Sequence, residues 1–331
     1  MPRRGRTGTS AAPAGPRSAG HEDRGQPLNL PSPEALGVGA ALLSSALWAW
    51  ASTRFTPLIR NHGPFAVNLF KTIGGAALFW LTTAILSLSG SDVFAGCTPE
   101  MVGLLIASGL IGLAFGDYCL LAAIDRVGVR QATLLHATAP LWLLFLNLAG
   151  AGQPLRGVQV TGILLVVIGV MDVTRRRTRS AGTDSRRVRG GIILGLLAAV
   201  AQAVAIQISK GPTVACESAA VVSAVRLTGA IVGLIVVAAG TRQIGAFMGL
   251  LTDRRDRRRA LGPVFFGTFL GVLCMTVAID ASHEAVAGAL LSLTPVFAVP
   301  ISRLVLGEPM RWQTLIGTCV AAGGVAMISL G

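Results

Sequence analysis

Uncharged apolar runs of about twenty residues recur along this chain, and that recurrence limits the fold more than any other feature. A helix of that length crosses about 30 Å of hydrocarbon. Lipid offers a backbone no hydrogen bonds, so such runs must close their own as helices. They fall at approximately 35–52, 64–88, 102–124, 132–149, 157–173, 191–209, 219–240, 261–279, 285–305 and 313–330. The expected fold is an all-α polytopic membrane protein with ten transmembrane helices. Only 13% of the 331 residues are charged, against about a quarter in an ordinary soluble domain.

The chain also repeats itself. A shift of 155 residues places Cys119, Ala123, Ile124 and Asp125 on Cys274, Ala278, Ile279 and Asp280, and Pro140 on Pro295. The same shift brings GQPLR at 152–156 onto GEPMR at 307–311, and Gly112, Gly116, Gly162 and Gly169 onto Gly267, Gly271, Gly317 and Gly324. Each copy holds five spans. An odd number sends the second copy through the membrane the opposite way up, which gives two inverted five-helix repeats with a site expected near the midplane between them. The division reads as a disordered tail at 1–34, a first repeat at 35–173, an Arg-rich linker at 174–190 and a second repeat at 191–331. The tail is rich in Pro, Gly, Ser and Arg and has no apolar segment of a secretory signal.

From residue 35 onward, the two five-span halves, "GLIGLAFGDYCLLAAIDRVG" followed by "LLHATAPLW", and "LLSLTPVFAVPISRLVLGEP" resemble the EamA-type members of the drug/metabolite transporter superfamily. The resemblance implies membrane transport of amino acids, other metabolites or drugs. Gln153 departs from the glutamate often found at that position, the counterpart of Glu308.

Alternating the loops between two sides gives face A (after spans 1, 3, 5, 7 and 9) and face B. Face A carries 18 basic residues and face B carries 7, the five of the tail included. Positive-inside bias then puts face A in the cytoplasm and both termini outside; the resemblance implies the reverse. The arginine clusters at 174–187 and 253–259, which raise the net charge to +13, sit between apolar spans and read as topogenic loops rather than a nucleic-acid surface. Cys97 and Cys216 fall in loops of face B, where a disulfide is open to them if that face is oxidising. No cysteine or histidine spacing suggests a metal or cofactor.

Three basic residues lie inside apolar spans: Lys71, Arg226 and Arg303. The repeat shift superposes Lys71 on Arg226, within VNLFKTIGG and VSAVRLTGA. A cation at that depth costs about 2.5–3.5 kcal/mol unless paired or hydrated. Lys71 has Asp117 and His136 at similar depth. The shift replaces those two by Val272 and Leu291, leaving Arg226 only the shallow Glu217 and Glu284. A guanidinium without an acid suits a carboxylate or phosphate, although a structural pair is the competing reading. Pro140 and Pro295 predict bends at matching depth. Lys71, Asp117, His136, Arg226, Pro140 and Pro295 are therefore the candidate cavity residues.

These features favour a secondary transporter, an exporter or exchanger of a small metabolite, an anion being the species the basic residues favour. It would sit in the cell's inner or plasma membrane. Its partners would be substrate and lipid, with a homodimer left open and no nucleic acid. The alternative is a sensor or assembly scaffold built on a transporter fold. No catalytic constellation or ATP-binding loop points to an enzyme.

Overall fold

A computed structural model describes residues 33–151, 156–178, 184–241, 243–281, 290–291, 293–307 and 312–330. Gln153, Glu284 and Glu308 lie outside them, as do the tail and the side chain of Asp280. Among the described residues every regular element is a helix. In chain order these are α1 (Pro33–Leu88), α2 (Pro99–Ser108), a π-helical segment (Gly109–Gly116), α3 (Asp117–Val127), α4 (Val129–His136), α5 (Ala139–Ala151) and α6 (Gly157–Thr178). The second repeat contributes α7 (Ser185–Ala215), α8 (Ala219–Thr241), α9 (Ile244–Thr252), α10 (Arg254–Pro263), a second π segment (Val264–Leu270), α11 (Gly271–Ala281), α12 (Thr294–Leu306) and α13 (Trp312–Leu330).

Five stretches are each long and apolar enough to cross a membrane: Ala35–Leu88, Pro99–Val127, Ser185–Ala215, Ala219–Thr241 and Arg254–Ala278. Three shorter apolar helices accompany them. Many large apolar side chains stay exposed, among them Leu81, Ile85, Leu164, Ile168 and Val236. On a soluble protein such patches would drive aggregation; here they are the face offered to lipid.

Local chemistry sets the breaks. α1 is interrupted only at Gly63, whose φ of 84° and ψ of 160° belong to a region reserved for glycine. Gly128, between α3 and α4, repeats that conformation at 86° and 162°. The first arm of α1 outruns its expected end at 52 by ten residues; past that end the Arg54 guanidinium stacks over Trp50. Thr98, Asp184 and Asp253 cap α2, α7 and α10 with side-chain oxygens that accept backbone N–H bonds. The span expected at 132–149 divides into α4 and α5 at Ala137–Thr138, just ahead of Pro140. Before the matching Pro295, the carbonyls of Leu290 and Leu291 accept from the Ser45 hydroxyl on α1.

The halves pack reciprocally. A Cβ on Gly169 would lie 2.7 Å from the carbonyl oxygen of Gly317, and one on Gly324 would lie 2.6 Å from that of Gly162. Under the 155-residue shift these two contacts are the same contact viewed from either side, as a two-fold relation requires. α6 and α13 therefore meet backbone to backbone along a glycine seam. Likewise Gly112 in the first π segment meets Ala205 of α7, and Gly267 in the second meets Ala51 of α1. One buried cluster spans both repeats, joining Phe55, Leu58 and Ile59 to Leu121, Ile124, Val188, Leu250 and Val264.

Candidate functional site

The two π segments superpose under the repeat shift, since 109–116 moves onto 264–271. Short π-helical stretches change the phase of the residues after them and concentrate at functional sites. Side chains from neighbouring helices bind carbonyls within the first and immediately after the second. Asn68 Nδ2 donates to Leu113 O at 3.1 Å and Ala114 O at 3.0 Å, and Ser44 Oγ donates to Gly271 O at 2.8 Å.

Between the π segments lies a cavity of about 890 Å³, its open mouth included. Both repeats line it, through equivalent positions: Lys71 with Arg226, Leu113 with Thr268, Asp117 with Val272, and Leu120 with Met275. Phe55 and Phe79 supply apolar wall, while Trp48, Ser52, Gln202 and Ser223 add polar groups.

Lys71 and Asp117 are each only 8% exposed and bond directly, Nζ donating to Oδ2 at 2.5 Å. Asp117 also lies in electrostatic range of His136 and Arg226. Arg226 is half-buried and its Nε is fully shielded, yet no described residue accepts a hydrogen bond from it or forms an ion pair with it. Glu217, one of the two acids considered for it from the sequence, is exposed and forms no pair with it. Trp48 Nε1 is a second shielded donor without an acceptor.

Of the six candidate residues, Lys71, Asp117 and Arg226 line the cavity; His136, Pro140 and Pro295 do not. His136 ends α4 at the break, and the prolines sit just inside α5 and α12. Arg303 is exposed in the last turn of α12. Asp125 accepts from Arg187 at 3.0 Å, which ties α3 to α7 away from the cavity. Sequence reasoning overlooked Trp48, Gln202 and Ser223. The available signal was their polarity within apolar runs, together with the register that sets Ser223 on Asn68.

Each face carries a closure between repeats. On face A, Asp256 is 4% exposed and accepts from Asn61 Nδ2 at 2.9 Å, and it lies 3.0 Å from His62 Nε2. Arg259 approaches its other oxygen at 3.3 Å. Asp253 lies close by, and with His62 and Asp256 could offer a cation three ligand atoms within 4.8 Å of one another. Asp253 already caps α10, however, and the Arg259 guanidinium opposes a cation. On face B, Cys97 and Cys216 form a disulfide, and Glu217 N donates to Ala95 O at 3.3 Å. Gly96 has a φ of 73°, and a Cβ there would clash with Ala215 O.

A family model described as the EamA-like transporter family matches the chain twice, over residues 35–175 and 189–330. The chain belongs to the EamA-like transporter family. Membership of that transporter family, together with the long apolar helices, makes it a multi-pass membrane protein. An "Uncharacterized transporter" of Clostridium kluyveri is 22% identical over 138 residues, which cover 42% of this chain and 43% of that relative. The matched stretch thus spans less than half the length of the relative. A solved structure described only as "Crystal structure of protein" superposes with a TM-score of 0.56 at 16% identity. It covers 88% of this chain and 96% of that one, a likeness of fold.

Proposed function

We propose that this EamA-like protein is a secondary transporter, an exporter or exchanger of a small metabolite, that works by alternating access between its inverted repeats. The observation that carries the reading is the cavity itself. Four pairs of repeat-equivalent residues line it at the level of the two π segments. A site on the axis relating two halves is reached from one side when the halves rock one way and from the other when they rock back. The closures fit such a cycle, because each joins one repeat to the other on its own face.

The proposed location is the cell's inner or plasma membrane, with face A in the cytoplasm. Two independent features support that orientation against the one the resemblance implies. Face A holds the arginine-dense segments, and face B holds the Cys97–Cys216 disulfide, which needs an oxidising compartment to form and persist.

Flux of a broad metabolite panel into or out of proteoliposomes tests the function. Transport above protein-free vesicles is expected for at least one small solute. Flux at the empty-vesicle level throughout would favour a sensor or scaffold.

A further inference from the structure

We infer that the second-repeat wall of the cavity, Arg226 with Ser223 and Gln202, is a binding site for a small amphipathic carboxylate. This deepens the transport reading and rests on it for the fate of the ligand, though not for its binding.

The two repeats share one sequence register but differ at this level. In the first repeat the lysine and the Asn68 amide nitrogen at this level are both engaged, although Asn68 Oδ1 is not. Lys71 donates to Asp117, and Asn68 donates to two carbonyls of the π segment. In the second repeat the same positions hold Arg226, Val272 and Ser223. The acid is gone, and so is the amide that ties helix to helix. Among the described residues neither Arg226 nor Ser223 forms a hydrogen bond or salt bridge, and Nε of Arg226 is sealed from solvent; Asp117, in electrostatic range of Arg226, is bonded to Lys71 instead. A guanidinium left in that condition within a membrane is costly. A ligand carboxylate supplies what Val272 cannot, in the two-pronged geometry a guanidinium accepts best.

The surroundings shape the rest of the ligand. Gly112 lies beside the site: a Cβ there would stand 3.9 Å from Arg226 Nη2 and 3.6 Å from Gln202 Oε1. Trp48 Nε1 offers a second donor awaiting an acceptor. Phe55, Phe79, Leu227 and Met275 line the remainder, where an apolar body is favoured and a second charge is not. Charge sets the valence. Asp117 already neutralises Lys71, so the surplus in the cavity is the one charge of Arg226, and a monoanion balances it.

The test is a binding measurement on full-length protein purified in neutral detergent, with hexanoate, hexanamide and hexylammonium as probes and thermal shift and calorimetry as readouts. Hexanoate is expected to bind and to raise Tm, while the neutral and cationic analogues do neither. Arg226→Met should weaken hexanoate by about ten- to a hundred-fold, the loss expected when a hydrogen bond to a charged group is removed. Val272→Asp provides the variant that keeps the fold. It restores the acid the first repeat has, so it should abolish hexanoate binding while leaving the unliganded Tm at or above wild type. Equal binding of hexanoate and hexanamide, or hexanoate affinity unchanged in both variants, overturns the site. Hexanoate binding that depends on Arg226, without flux of any solute, would instead sink the transport reading and leave this one standing.

Discussion

Lys71 and Asp117 meet at 2.5 Å between the second arm of α1 and α3, almost wholly removed from solvent. Their bond is what the second repeat lacks. Removing one partner strands the other charge, which costs roughly 3–5 kcal/mol for a buried pair. Lys71→Met and Asp117→Asn are each expected to lower the Tm of the purified protein and its yield in membranes. The double replacement Lys71→Met with Asp117→Leu should recover most of both. A double variant as unstable as the sum of the singles would show that the two do not act as a pair.

The glycine seam gives a second expectation. Gly169→Ala and Gly324→Ala each push a methyl to within 2.7 Å or 2.6 Å of a carbonyl oxygen on the opposing helix. Backbone cannot step aside as a side chain can, so each should cost about 1–3 kcal/mol. Gly103→Ala, with nothing within 4 Å of its Cβ, should leave Tm nearly unchanged. Equal damage at all three positions would mean that helix propensity rather than close approach sets the effect.

On face A, Asp256 accepts from Asn61 and binds His62 across the boundary between repeats. A double-mutant cycle of His62→Ala and Asp256→Ala, read by thermal or chemical unfolding, should give a coupling of about 0.5–3 kcal/mol. Strict additivity would show that His62 and Asp256 do not act together.

Orientation is checked by labelling. In intact cells, a membrane-impermeant maleimide should reach Cys97 and Cys216 after treatment with an impermeant reductant. A cysteine at Ser180, within the Arg-rich linker read from the sequence as lying on face A, should react only after permeabilisation. The opposite pattern would invert the molecule.

Much of this architecture was legible in the sequence because membrane folding leaves coarse marks. Lipid forces apolar runs of fixed length, and a duplicated chain keeps its glycines in register where backbones touch, as at Gly162, Gly169, Gly317 and Gly324. The pairing of Lys71 with Asp117 followed from depth alone. The π segments left no such mark, since they alter helical phase by the pairing of backbone groups and not by residue type. That phase decides which side chains enter the cavity. Trp48 and Gln202 lie on α1 and α7, away from both π segments, and escaped notice as isolated polar groups within apolar runs; His136 and the two prolines fall outside the lining. Asp256 was hidden for another reason. Within DRRDRRR it reads as loop charge, and only the fold brings Asn61 and His62 onto it, 194 and 195 residues away in sequence.

Alternating access requires that the cavity between the halves open to each side of the membrane in turn. Accessibility of a cysteine at Leu120, which lines that cavity from α3, tests it most directly in a background where Cys119, Cys274 and Cys319 are alanine. Sealed vesicles of both orientations would be treated with an impermeant thiol reagent. The account expects modification from either side, with solute binding shifting the two rates in opposite directions. Modification from one side only, under every condition tried, would contradict it.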